Sequence, residues 1–160
     1  MEKSLLEQAL KYAEFGFFIF PCRYKHAGKI LSKKGKWIEL KPKQPLIQKG
    51  VLSATKDLKQ IEIWWKRWPN AMIGTNLGMS NRFVIDIDNH KVNGLDNWHS
   101  LGISDEGCQH VMTPSGGLHL YFSGQGRAST NEKLGIDTRG GDTYTLLPNS
   151  FVADLEGNRK

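Results

Sequence analysis

The run Phe83-Val84-Ile85-Asp86-Ile87-Asp88 decides how the second half of this 160-residue chain folds. Apolar residues at 83, 85 and 87 alternate with carboxylates at 86 and 88, the two-residue period of a strand with one face in a core. Phe83, Ile85 and Ile87 then point inward, and Asp86 and Asp88 project together from the other face. Two carboxylates held that close repel each other unless a cation lies between them, so the spacing suggests an oxygen-rich Mg²⁺ or Mn²⁺ site. The plain alternative is a strand running into a turn at Asp88-Asn89-His90, where aspartate and asparagine serve local hydrogen bonds.

Two later segments divide their faces in the same way. In Leu118-His119-Leu120-Tyr121-Phe122 the apolar side is Leu118, Leu120 and Phe122, which leaves His119 and Tyr121 opposite; in Ile136-Asp137-Thr138-Arg139, Asp137 and Arg139 share a side. If the three strands are neighbours in one sheet, a single face carries three aspartates, a histidine and an arginine. That set suits a metal-bound triphosphate, with carboxylates for the metals and cationic or hydrogen-bonding groups for phosphate oxygens. Arg139 could instead pair at the surface with Asp137 or Asp142, and His119 taken alone reads as a structural histidine. Directly before His119, Thr113-Pro114-Ser115-Gly116-Gly117 is a small-residue turn, both a hairpin connection and a place where backbone amides can approach a phosphate. His26, His90, His99 and His110 have no comparable setting.

Around this centre, short strands are expected over residues 71–74, 83–88, 110–113, 118–122, 135–139 and 143–147, with one helix carrying Leu95, Trp98 and Leu101. In the first half, Ser4-Leu5-Leu6-Glu7 forms a capping box that opens a helix, and Gly16 ends it. Phe17-Phe18-Ile19-Phe20-Pro21 reads as a buried strand that opens into a long loop or ribbon. A second helix begins near Thr55 and packs Leu58, Ile61, Trp65 and Trp68 inward until Pro69 stops it. The mixture predicts an α+β (α/β) fold around a largely antiparallel sheet, one globular unit with room for two lobes.

Charge is concentrated. Of 22 basic and 16 acidic residues, the segment from Arg23 to Lys43 holds eight basic ones against Glu39 alone, a net +7 that leaves −1 elsewhere. Such a segment suits a polyanion, nucleic acid or nucleoside triphosphate, unless it is simply a solvated loop. No apolar run approaches the ~18 residues of a membrane span, and Met1-Glu2-Lys3-Ser4 lacks a signal-peptide layout, so a soluble cytoplasmic protein is expected. Cys22 and Cys108 have no neighbours at zinc-ligand spacing, which argues against a structural zinc or a disulfide framework.

A series of motifs in fixed order carries a resemblance. They are Ala9-Leu10-Lys11-Tyr12-Ala13 ending Glu14-Phe15-Gly16, Phe20-Pro21, Lys43-Gln44-Pro45-Leu46, Ala54-Thr55, Ile61-Glu62-Ile63-Trp64-Trp65 and Met72-Ile73-Gly74 with Gly78. Asp86-Ile87-Asp88, the stretch 113–122, Gly135-Ile136-Asp137-Thr138-Arg139-Gly140 and Pro148-Asn149-Ser150 follow. Together they resemble the bifunctional DNA primase/polymerase N-terminal (Prim-Pol) domain of the archaeo-eukaryotic primase superfamily, found in plasmid, phage and mobile-element replication proteins. The resemblance implies an RNA-recognition-motif-like catalytic sheet over about 71–160, a smaller N-terminal α/β module over about 1–70, and an active cleft between them. It also implies template-dependent nucleotidyl transfer from dNTP or NTP on single-stranded DNA template and primer.

By the same resemblance, Asp86, Asp88 and Asp137 hold two divalent ions, Mg²⁺ or Mn²⁺, and His119 contacts the phosphates of the incoming nucleotide. Ser115, Gly116, Gly117, Arg139 and Lys43 assist it. Chains of this family run on beyond the point matching Asn158-Arg159-Lys160, often into a helical region and a helicase, in the same chain or as a separate replication partner. Two other readings use the same residues: a non-catalytic nucleic-acid or nucleotide-binding module of a replication initiator, and a metal-dependent nuclease.

Overall fold

The computed structural model describes residues 4–149; Met1-Glu2-Lys3, Ser150 of the Pro148-Asn149-Ser150 motif and the terminal Asn158-Arg159-Lys160 lie outside the described residues. Mixed helices and antiparallel sheets make an α+β fold. The described residues divide into two units, one drawn from residues 4–75 together with 146–149, the other from Asn76 to Thr145.

The first unit begins with α1 (Leu5–Glu14), whose capping box forms in full: the Ser4 amide donates to Glu7 Oε2 at 2.8 Å and the Glu7 amide to Ser4 Oγ at 3.2 Å. Strand β1 (Ile19–Cys22) starts two residues later than the apolar run suggests, and Phe17 and Phe18 lie before it. The basic segment folds into a two-stranded antiparallel ribbon, β2 (Lys29–Leu31) and β3 (Trp37–Glu39), followed by a short 3₁₀ turn at Gly50–Ser53. Helix α2 (Leu58–Arg67) starts later than Thr55, because the Asp57 side chain caps it while Thr55 bridges to Ile19 across β1.

Ile61 and Trp65 are fully buried, and the Trp65 indole donates to the Ala71 carbonyl at 3.2 Å. Leu58 remains substantially exposed, and Trp68, expected in the core, is the half-buried C-cap of the helix beneath the Arg67 guanidinium, 4.7 Å from its ring. The stripe runs off the core because the helix ends at Arg67, so the last turn has no further helical neighbour to pack. Strand β4 (Met72–Asn76) pairs antiparallel with β1.

The second unit is built on a five-stranded antiparallel sheet. Its strands are β5 (Arg82–Ile87), β6 (Gln109–Met112), β7 (Leu118–Ser123), β8 (Ser129–Asn131) and β9 (Ile136–Arg139), in the order β6-β7-β5-β9-β8. One face is apolar: Ile87 and Leu120 are fully buried with Trp98 of α3 (Gly94–Ser100), and Ile85, Leu95, Leu118, Phe122 and Ile136 pack around them. Each such side chain stabilises the unit by roughly 1.5–3 kcal/mol when fully buried. Phe83 stacks on Phe122 at 5.1 Å on the same face. Strand β10 (Tyr144–Leu146) completes a three-stranded sheet ordered β1-β4-β10, so the boundary between the units falls within β4 and β10.

Candidate active site

The register of the five-stranded sheet fixes its other face. Asp86 in β5 lies directly opposite His119 in β7 and Asp137 in β9, and Val84 lies opposite Tyr121 and Arg139. Residues two apart in a strand and directly paired across strands share a face. Val84, Asp86, His119, Tyr121, Asp137 and Arg139 are therefore on one side, opposite the apolar side packed by α3.

Asp86 is the hub. Its Oδ2 accepts from Arg139 Nε at 2.8 Å and Nη2 at 2.6 Å, a two-pronged contact, while Oδ1 lies 3.2 Å from His119 Nε2. The carboxylate is nearly buried, with 9% of its side chain exposed against 42% for Arg139. Burial is the largest single influence on the Asp86 carboxyl and raises its pKa. The hydrogen bond and charge of His119, with the charge and hydrogen bond of Arg139, together outweigh it, so the pKa lies below the ordinary value and the group is held ionised. Arg139 thus pairs with Asp86, not with Asp137 or Asp142 at the surface. The pairing follows from sheet geometry: like charges at 86 and 137 face each other across β5 and β9, and a guanidinium two residues along β9 relieves the repulsion.

The remaining site candidates are placed around this hub. Asp137 sits on β9 with Oδ1 accepting from the Asn131 amide at 3.2 Å. Asp88 lies just past β5; its amide donates to the Gly135 carbonyl at 2.8 Å, and its side chain is exposed. Gly94 opens α3 against this point, since a Cβ there would collide with the Asp88 carbonyl.

Ser115, Gly116 and Gly117 form the turn joining β6 to β7. The Gly117 amide donates to Thr113 Oγ1 at 3.0 Å, and Thr113 Oγ1 is 3.1 Å from Ser115 Oγ. A Cβ at Gly117 would collide with the Ile87 carbonyl, so glycine lets the start of β7 lie against the end of β5, the strand that carries the carboxylates. Gly116 adopts φ 81°, the left-handed turn position. Lys43 belongs to the first unit, where its amide donates to the Arg23 carbonyl at 2.7 Å.

The sequence reading missed two residues. Thr145 is buried, and its hydroxyl lies 3.4 Å from His119 Nδ1, which fixes the imidazole from the side away from Asp86. Thr113 organises the glycine turn through its hydroxyl. A threonine in a strand or turn has no distinguishing signal in sequence, since its partner is set only by tertiary placement.

The carboxylates of Asp86 and Asp137 on this face, with that of Asp88 just past the end of β5, are hard oxygen donors, and that chemistry fits Mg²⁺ or Mn²⁺. Among the described residues no three His, Cys, Asp or Glu side chains converge on one point, because Asp86 is turned to Arg139 and His119.

The whole length of the chain bears on what this face is for. The description "bifunctional DNA primase/polymerase, N-terminal" (Prim-Pol) matches residues 9–159. The chain belongs to this family. Its domains serve DNA replication as primases and polymerases, and the Prim-Pol chain described here carries the polar face of its sheet within the matched region. Comparison with curated proteins gave no match. Among the described residues no helix is long and apolar enough to cross a membrane.

Proposed function

We propose that this Prim-Pol domain is a DNA primase/polymerase, a nucleotidyltransferase that builds a strand on single-stranded DNA in the replication of a mobile element. One observation carries the reading. A buried, ionised Asp86 stands between His119 and Asp137 on one sheet face, in a chain of the primase/polymerase family.

In the reaction a 3′-hydroxyl oxygen loses its proton to solvent and forms a bond to the α-phosphorus of a dNTP or NTP, the bond from that phosphorus to the bridging oxygen breaks, and pyrophosphate leaves with the electron pair. Asp86, Asp88 and Asp137 would hold Mg²⁺ or Mn²⁺, whose bound chemistry is to acidify the attacking hydroxyl and stabilise the leaving charge. The chain's own groups do the rest. His119, held by Thr145 at Nδ1, directs Nε2 toward the face, where it donates to a phosphate oxygen in place of Asp86. Arg139 would serve as the second phosphate-binding cation, its guanidinium suited to two phosphate oxygens as it is now to Asp86. The Ser115-Gly116-Gly117 turn offers amides and a hydroxyl to the phosphates, and Lys43 is assigned as a further phosphate-binding cation.

Incubation with a primed template, dNTPs and Mn²⁺ or Mg²⁺ tests this. The wild type extends the primer, and Asp86→Asn or the exposed Asp88→Asn lowers extension about a thousand-fold or more. Wild-type extension by both variants would remove the assignment.

The engagement of Asp86 by both Arg139 and His119 favours a second reading, a non-catalytic nucleotide- or DNA-binding module of a replication initiator. It predicts salt-sensitive DNA binding with no extension under any metal.

A further inference from the structure

The basic segment of the first unit has a structure of its own, independent of the sheet face described above. Backbone hydrogen bonds run up it as a ladder, from Arg23 to Gln44 (2.8 Å) and Lys43 to Arg23 (2.7 Å) at the foot, to Ala27–Leu40 (3.0 Å) and Leu40–Gly28 (2.8 Å) below β2 and β3. On the ribbon Ile30 pairs with Ile38, and Leu31 with Trp37. These pairs fall on opposite faces, yet all four side chains are exposed, Trp37 at 70%. An isolated two-stranded ribbon with apolar side chains open on both faces gains little from its own packing, so its surface composition calls for a partner. Lys29, Lys33, Lys34 and Lys36 are exposed around them; the nearby acid, Glu39, lies 3.4 Å from Lys41 and 3.7 Å from His26.

At the foot of the ribbon is a cavity of about 250 Å³, lined by Arg23, Tyr24, Lys25 and Leu46 on one side and by Arg67 and Trp68 at the end of α2 on the other. It is smaller than the ~300–1,000 Å³ of pockets that enclose whole drug-sized ligands, so it admits at most part of such a molecule. Its aromatic rings already have cations against them, Arg67 4.7 Å from the Trp68 ring and Lys25 Nζ 5.4 Å from that of Tyr24. Arg23 Nε is buried there with no acceptor among the described residues. A buried guanidinium donor without an acceptor is costly, and an anionic oxygen would satisfy it.

We propose that the first unit carries a single-stranded DNA site of its own: one base enters the cavity against Trp68 and Tyr24, its phosphate meets Arg23, and the strand continues along the ribbon, where Trp37 stacks on a second base among the lysines. Stacking platforms set in a basic track are the physical form of strand binding without sequence preference. An acidic protein would be served by the lysines but has no use for flat aromatic faces paired with guanidinium groups.

Fluorescence anisotropy with labelled oligothymidylate, on the full chain without metal, tests the site. Trp37→Ala and Arg67→Gln, both at exposed positions, each weaken binding by about five-fold or more. Converting Lys33, Lys34 and Lys36 to glutamine lowers the magnitude of the slope of log affinity against log salt, by roughly 0.7 for each phosphate no longer neutralised. Free dNTP at equal nucleotide concentration leaves the oligonucleotide bound, which separates this site from the catalytic assignment. Unchanged affinity in Trp37→Ala and Arg67→Gln, displacement by polyglutamate as effective as by unlabelled oligothymidylate, or displacement by free dNTP at equal nucleotide concentration would each overturn the proposal.

Discussion

The polar face of the five-stranded sheet and the ribbon of the first unit are the two places where this chain concentrates charge, and they handle it in opposite ways. On the sheet, the central charge is nearly buried and matched: Asp86 meets Arg139 twice and His119 once. On the ribbon, lysines stand in solvent, and Glu39 is the only acid between Arg23 and Lys43. A matched, nearly buried cluster holds its groups at set distances from one another, which is what positioning reactive groups requires. An unmatched exposed cluster holds no geometry and attracts a polyanion over distance. Under the two proposals, the sheet face carries out the chemistry and the ribbon captures the strand.

Breaking the match should show this first in stability. Arg139→Ala leaves Asp86 nearly buried without its main partner, and a loss of roughly 2 kcal/mol is expected in urea denaturation. That is below the ~3–5 kcal/mol of a fully buried pair because Arg139 is itself part exposed. The Lys33, Lys34 and Lys36 to glutamine variant should lie within about 0.5 kcal/mol of wild type. Equal losses in the two variants would contradict the division.

A smaller effect follows from acid. The folded pKa of Asp86 is lowered, so its contribution is fully present above the unfolded value of ~3.9 and is lost as pH falls through the folded one. Denaturation midpoints measured from pH 5 downward should fall more steeply for wild type than for Asp86→Asn. Parallel curves would show that the carboxylate is not held ionised by its partners.

The contrast also explains what could be read in the sequence. The faces of β5, β7 and β9 were legible because apolar and polar residues alternate at a strict period of two, and the core demand on Ile85, Ile87, Leu118 and Leu120 fixes the other face by exclusion. The capping box at Ser4 and Glu7 was legible for the same local reason. The contacts made on the polar face were not: that Arg139 turns to Asp86, and that Thr145 supports His119, depends on strand order, which no period encodes. Trp68 was misplaced because helical spacing continues past the point where Asp57 and Pro69 confine the helix to one shorter span. The ribbon's two strands were foreseen only as a loop or ribbon, since lysine-rich sequence has no burial pattern to set a register.

The central claim, that the sheet face is a metal and nucleotide site, is tested most directly by counting bound Mn²⁺ by electron paramagnetic resonance with a non-hydrolysable deoxynucleoside triphosphate present. Corrected for Mn²⁺ held by the free nucleotide, the wild type should bind Mn²⁺ and nucleotide together, and Asp86→Asn/Asp88→Asn/Asp137→Asn should lose that binding. Undiminished Mn²⁺ binding in a folded triple variant would contradict the account.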